Sequence, residues 1–170
     1  MAKEKYLKPV TRSITINVPT EKVWKVISKP GNLELCHPFC KSNPVEKWEG
    51  KGSIDYVNYY NGLKYKRIFT DWIDGIGYDL LIGVKFGKQS KVIWRINKID
   101  NSSSELTITI YPYILTQYSK LLLPVIYRCF ISPMLGKYLS SVLQGFKFYI
   151  IERKPVKKNQ FGTHKWFSTK

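Results

Sequence analysis

Acidic residues are scarce in this chain. Only 12 Asp and Glu stand against 28 Lys and Arg, a formal net charge of +16 and a pI near 9.7. Such an imbalance puts an anionic partner, nucleic acid or a membrane surface, on the table. No nucleic-acid motif accompanies it and lysine outnumbers arginine, so a nucleic-acid partner is disfavoured and a solvated basic surface is the simpler alternative. Cysteine is also sparse: Cys36, Cys40 and Cys129 are an odd number and cannot all pair. A reduced, cytoplasmic protein is the simplest expectation. Zinc is disfavoured too, because Cys36-His37-x-x-Cys40 has no second knuckle to complete a four-ligand set. No apolar run reaches the ~18–20 residues of a membrane-spanning helix. The polar, lysine-bearing start, Met1 to Pro9, lacks the apolar stretch of a signal peptide. A Gly-x-Ser-x-Gly nucleophile elbow is missing. Gly75-Ile76-Gly77 is a turn between strands with no helix after it, so it cradles no phosphate. No cofactor is implied.

What is present is a core-forming composition, 44% hydrophobic and 15% aromatic, in 170 residues. That length favours one domain. The chain opens with an alternating strand in which Ile14, Ile16 and Val18 point one way and Ser13, Thr15 and Asn17 the other. Pro19 stops it, and Thr20 is placed to cap a helix with Val23, Trp24, Val26 and Ile27 as its apolar face. Pro30-Gly31 ends that helix, and Asn32 is placed to cap a second short one closed by Pro38. A run of strands follows: Val45 to Glu49, Ser53 to Tyr60, Leu63 to Ile73, Tyr78 to Val84, Ser90 to Ile99 and Glu105 to Tyr113. Turns at Gly50-Lys51-Gly52, Asn61-Gly62, Asp74 to Gly77, Gly87-Lys88 and Asp100 to Ser104 separate them. With the first strand this predicts an antiparallel meander of about seven strands. Val92, Trp94, Ile96, Leu106, Ile108 and Ile110 should lie on its covered face.

The period changes at Tyr118. The stretch Leu121 to Ile131 is very apolar, and Pro133 should interrupt it. Met134 to Glu152 then reads as a long helix with Leu135, Leu139, Val142, Phe146 and Tyr149 or Ile150 on one stripe. Gly136 and Gly145 are weak points in it, each costing ~1 kcal/mol against alanine. Pro155 should end the helix. Phe161, Trp166 and Phe167 follow in a basic tail that is too aromatic for disorder.

The residues Ser13-Ile-Thr-Ile-Asn-Val-Pro-Thr-Glu-Lys-Val-Trp24, Pro30-Gly31-Asn32-Leu33 and His37-Pro38-Phe39 give the chain a resemblance to the SRPBCC superfamily (START/Bet v 1-like). They resemble in particular its polyketide cyclase/dehydrase-like branch. The resemblance runs from about Thr11 to Glu152, and the Asn159-Gln-Phe-Gly-x-His-x-Trp-Phe167 ending resembles others in that branch. Cys36 stands where many relatives carry Trp. The resemblance implies an α+β helix-grip (Bet v 1-like) fold: a curved antiparallel sheet wrapped around a long C-terminal helix, with two short helices after strand 1. It also implies a single domain over 1–170, with residues 153–170 as a docked extension. A ligand cavity between sheet and helix is the further implication, against a simply filled core.

Candidate cavity residues are Tyr56, Tyr60, Arg67, Tyr78, Trp94, Leu139, Val142, Phe146 and Tyr149. Aromatics suit a flat hydrophobic ligand, lipid-, sterol- or polyketide-like, and their hydroxyls can orient it. Arg67 would hold a ligand carboxylate bidentately if its strand face turned inward, although Ile68 is the more natural inward residue. His37 is the one weak catalytic candidate, and a packing histidine beside Pro38 is the alternative. Three function classes stay open. They are a carrier or binding protein, a cyclase/dehydratase-like enzyme, and a basic module on a membrane surface or nucleic acid. After Glu105 only Glu152 is acidic, so the apolar Leu121 to Ile131 stretch sits in a basic setting that an anionic membrane would attract.

Overall fold

The computed structural model describes residues 6–114 and 121–168. The first strand, β1 (Val10–Ile16), leads through Val18-Pro19 into helix α1 (Thr20–Ile27), which buries Val23, Val26 and Ile27. Pro19, in extended conformation, is the residue before the helix, and no side chain caps it. The expected Thr20 cap is therefore replaced by a proline-set entry angle, since Thr20 already belongs to the first turn. Helix α2 (Leu33–Cys36) follows, also without a side-chain cap. Asn32 instead turns back on α1, where its Nδ2 donates to the carbonyls of Val26 (3.2 Å) and Ile27 (2.6 Å). These are C-terminal carbonyls that a helix leaves unpaired.

Eight antiparallel strands form one sheet among the described residues. They are β1, β2 (Cys40–Ser42), β3 (Val45–Lys47), β4 (Ile54–Tyr59), β5 (Lys64–Ile73), β6 (Gly77–Gly83), β7 (Gln89–Lys98) and β8 (Ser104–Tyr111). Their order is β1-β8-β7-β6-β5-β4-β2, with β3 also paired to β4. The strand not foreseen is β2, a short polar segment with no alternation to announce it. In β7 and β8 alternation sets the face as expected, and Val92, Trp94, Ile96, Leu106, Ile108 and Ile110 are all buried.

The second half of the chain supplies the helix. α3 (Leu123–Ile126), a π turn (Tyr127–Ile131) and α4 (Ser132–Glu152) follow one another without a break. The expected interruption at Pro133 is absent. Proline lacks an N–H and crowds the carbonyl four residues back, and a π turn directly before it widens the backbone enough to absorb both. α4 buries Leu135, Leu139, Val142, Leu143, Phe146 and Ile150 against the sheet, with Tyr149 half-buried beside them. Two of its glycines are contact points. A Cβ at Gly145 would lie 2.1 Å from the Cys36 carbonyl oxygen, and one at Gly136 would lie 2.3 Å from the Arg12 guanidinium. Helix α4 ends at Arg153 in left-handed conformation, two residues before Pro155.

The tail packs on this frame. The Val156 N–H donates to the Leu35 carbonyl and the Asn159 N–H to the Pro38 carbonyl, both at 2.9 Å. Asn61 Nδ2 donates to the Trp166 carbonyl at 2.6 Å. Phe167 and His164 are buried, and Phe167 belongs to the main core cluster. The core thus draws on residues beyond Glu152.

Candidate functional site

Between the sheet and α4 lies a cavity of about 490 Å³. Its sheet wall comes from Val57 and Tyr59 on β4, Tyr65 and Arg67 on β5, Leu80 and Ile82 on β6, Val92 and Trp94 on β7, and Ile108 and Ile110 on β8. Ile131, Leu135, Tyr138, Leu139 and Val142 form the helix wall, Leu33 and His37 one end, and Trp166 and Phe167 of the tail a further side. Leu7, Val84, Lys88, Pro112 and Tyr113 border the other end. The lining is mostly apolar, with a few polar groups that converge, as ligand sites generally are.

Of the residues singled out from sequence, Arg67, Trp94, Leu139, Val142 and His37 line the cavity. The other five do not. Tyr56 lies on the outer face of β4, where its hydroxyl donates to Glu46. Tyr60 follows the end of that strand, under the Lys158 ammonium at 5.3 Å. Tyr78 is fully buried, stacked on Trp72 and edge-on to Phe69. Phe146 is fully buried behind Trp94, its ring centroid 5.0 Å away. Tyr149 is half-buried at the edge of the core cluster. In β4 the inward set is Asp55, Val57 and Tyr59, so a one-residue shift in parity replaces Tyr56 by Tyr59.

Arg67 does face inward, and its neighbour Ile68 faces out half-buried. Its fork is already engaged: Nε donates to Asp55 Oδ1 at 2.7 Å and Nη2 to Asp55 Oδ2. Asn43 Nδ2 also donates to that carboxylate, at 3.0 Å. Burial by itself would lower the Arg67 pKa, but the Asp55 charge and hydrogen bonds more than offset it, and the net direction is upward. The pair is a neutral, internally satisfied unit in the wall rather than a free carboxylate clamp.

The polar chain that reaches the cavity is His37–Tyr138–Tyr59. The Phe39 N–H donates to His37 Nδ1 at 3.1 Å, so Nδ1 is the acceptor and the ring proton sits on Nε2. His37 Nε2 is 2.9 Å from the Tyr138 hydroxyl, which is 2.9 Å from the Tyr59 hydroxyl. Burial first, and the Arg67 charge second, push the His37 pKa down to about 3, so the ring is neutral near pH 7. Burial also raises both tyrosines, which keep their protons. The three groups therefore carry three donor protons, and their two mutual contacts use two. One hydroxyl proton is left for the cavity, which both Tyr59 and Tyr138 line. Tyr59 and Tyr138 were not singled out from sequence. The signal that would have found Tyr138 is its position one helical turn after Leu135, next to Leu139 on the apolar stripe.

The two buried thiols, Cys36 and Cys40, do not offer nucleophiles. Burial drives the Cys36 pKa up and pushes that of Cys40 up to about 12. Among the described residues no group of three or more His, Cys, Asp or Glu stands close enough to hold a metal ion.

No protein-family model and no curated protein matches the chain by sequence. Solved structures do match by shape. The chain is similar to truncated norcoclaurine synthase from Thalictrum flavum, with a TM-score of 0.64 and 14% identity over 91% of this chain and 100% of that one. It is similar to BexL, a di-domain ARO/CYC protein of the BE-7585A biosynthetic pathway, with a TM-score of 0.64 and 10% identity over 83% of this chain and 45% of that one. It is also similar to Ara h 8.0201, with a TM-score of 0.59 and 13% identity over 85% of this chain and 98% of that one. At these identities the likeness is one of fold. An antiparallel sheet wrapped on one long C-terminal helix, with two short helices after its first strand, is the helix-grip fold of Bet v 1-like (SRPBCC) proteins, and this chain has it.

Proposed function

We propose that this protein binds or carries a small hydrophobic ligand, lipid-, sterol- or polyketide-like, in the cavity between sheet and helix. The observation that carries this reading is the apolar cavity of about 490 Å³ with a spare hydroxyl proton of the Tyr59–Tyr138 pair in its wall. That volume falls within the range of small-molecule sites. Trp94, Leu139 and Val142 supply apolar contact, and Arg67, tied to Asp55, supplies a rigid polar edge. Tyr59 and Tyr138 present a donor, so the ligand carries a hydrogen-bond acceptor, a carbonyl or hydroxyl oxygen, where its mostly apolar body meets them. A binding role fits the chemistry better than a cyclase or dehydratase role. His37 is neutral and turns its Nδ1 lone pair to the Phe39 N–H, so it has no base to offer the cavity. Norcoclaurine synthase, of like fold, has been solved with dopamine and hydroxybenzaldehyde, which supports reading the cavity as a ligand site.

Native mass spectrometry of freshly purified protein tests the reading directly, with a bound small molecule as the expected result. Val142→Trp, which fills the cavity, should abolish binding of an anilinonaphthalene sulfonate probe while the far-ultraviolet spectrum is unchanged. Either single tyrosine-to-phenylalanine change leaves one hydroxyl proton unspent, so the test is Tyr59→Phe combined with Tyr138→Phe, which should weaken an acceptor-bearing ligand about 3- to 10-fold, the worth of one neutral hydrogen bond, and leave a pure hydrocarbon probe unaffected. Probe binding that persists in a folded Val142→Trp protein would place the ligand elsewhere.

A further inference from the structure

Two segments that line one end of the cavity, the β6–β7 turn through Val84 and Lys88 and the segment from α3 through the π turn by way of Ile131, also carry exposed apolar side chains. Phe86, at the tip of the β6–β7 turn, is 97% exposed, and Leu121, just before α3, is 88% exposed. Leu122, Val125 and Phe130 are exposed as well. α3 buries none of its residues. The π turn places Phe130 one wide turn after Val125, so the two extend one another along the helix. Soluble monomers rarely leave such a set in water without a purpose.

The charge around it has one sign. Lys85 and Arg128 are exposed on the same segments, and no Asp or Glu occurs between Glu105 and Glu152. The Lys85 ammonium stands 5.3 Å from the Phe86 ring centroid. A second copy of this chain is a poor occupant, because a self-complementary interface would set these cations against each other. No helix among the described residues is long and apolar enough to cross a membrane, so the geometry is that of lying on a bilayer, not spanning it.

We propose that this end of the molecule docks on an anionic lipid bilayer. Phe86, Leu121 and Val125 enter the acyl boundary, and Lys85 and Arg128 sit at the phosphates. The docked face is the one that borders the cavity, so a hydrophobic ligand passes between bilayer and cavity without crossing water. Each cation next to an anionic surface strengthens association about fivefold, and insertion of the rings and aliphatic side chains adds a component that salt does not screen.

The test uses the full chain without added ligand, co-sedimented with vesicles of phosphatidylcholine alone or mixed with phosphatidylserine. Binding is expected to the mixed vesicles and to be at least tenfold weaker to phosphatidylcholine alone. The combined variant Phe86→Ser, Leu121→Ser, Val125→Ser changes only exposed positions and should retain the fold by circular dichroism. Its affinity for mixed vesicles should fall tenfold or more, and Lys85→Glu with Arg128→Glu should cost a similar factor that shrinks in high salt. A folded serine variant that binds as well as the parent overturns the proposal, as does a parent that ignores phosphatidylserine vesicles. A parent that is dimeric by light scattering, and monomeric as the serine variant, overturns it in favour of a second copy. Docking does not depend on the cavity being occupied. Val142→Trp should bind vesicles normally, so failure here and failure of the ligand reading are distinguishable.

Discussion

At the scale of single residues, His37 carries the sharpest consequence. Its folded pKa of about 3 lies below the ordinary histidine value of 6.5 expected when the chain is unfolded. Between those two values the unfolded chain binds a proton that the folded one refuses, so stability falls as pH drops through that window and is unaffected above it. The slope contributed is at most about 1.4 kcal/mol per pH unit. His37→Asn keeps an acceptor for the Phe39 N–H and cannot titrate. Its melting temperature, followed from pH 7 to pH 4, should decline less steeply than that of the parent. Parallel curves would mean that His37 takes up a proton in the folded state at its ordinary pKa. His164, also lowered by burial, accounts for a residual slope in both proteins. The sequence marked His37 as worth attention but not its partners. Tyr59 and Tyr138 are far from it in the chain and meet it only through the fold, Tyr138 across 101 positions. Their neighbours Tyr56 and Tyr60 looked equally good, because a strand with tyrosines at both parities gives alternation nothing to choose between.

Among whole elements, legibility follows how one-sided each face is. β7 and β8 alternate cleanly and their inward residues could be read at once. β4 and β5 hide their register, because the inward face carries Asp55 and Arg67, a charge pair that is acceptable only because each satisfies the other. Hydrophobic periodicity counts each as an outward residue and turns Ile68 inward instead. The same blindness applies to Gly145 in α4. From sequence it is a weak helix position, and alanine should stabilise it by ~1 kcal/mol. In the fold a Cβ there meets the Cys36 carbonyl oxygen at 2.1 Å, a backbone atom at the end of α2 that has little room to give. Gly145→Ala should therefore lower the denaturation midpoint rather than raise it, and a raised midpoint would show that α2 moves freely against α4. Phe146, one residue on, is fully buried behind Trp94 rather than beside the cavity. Phe146→Ala should cost about 3–5 kcal/mol by chemical denaturation, the usual range for a buried ring.

On the scale of the whole molecule, the tail closes what sheet and helix leave open. Phe167 stacks on Tyr59 with ring centroids 4.6 Å apart and packs on Tyr138 at the same distance. His164 sits beneath it, its Nε2 3.0 Å from the Met134 carbonyl. The two tyrosines that present the spare hydroxyl are thus held from behind by residues 164–167. We predict that deleting residues 159–170 leaves a folded protein, because the strands and α4 retain their mutual contacts, but one with a lower melting temperature. Removing Phe167 from a well-packed core alone costs about 3–5 kcal/mol. The same deletion removes Trp166 and Phe167 from the cavity wall. A probe bound in the cavity should then dissociate faster in stopped-flow displacement, by more than the loss of stability alone would produce in a control such as Phe146→Ala, whose ring does not line the cavity. Equal dissociation rates in the truncated protein and that control would reduce the tail to a stabilising strap. A faster rate confined to the truncated protein makes it the wall that retains the ligand.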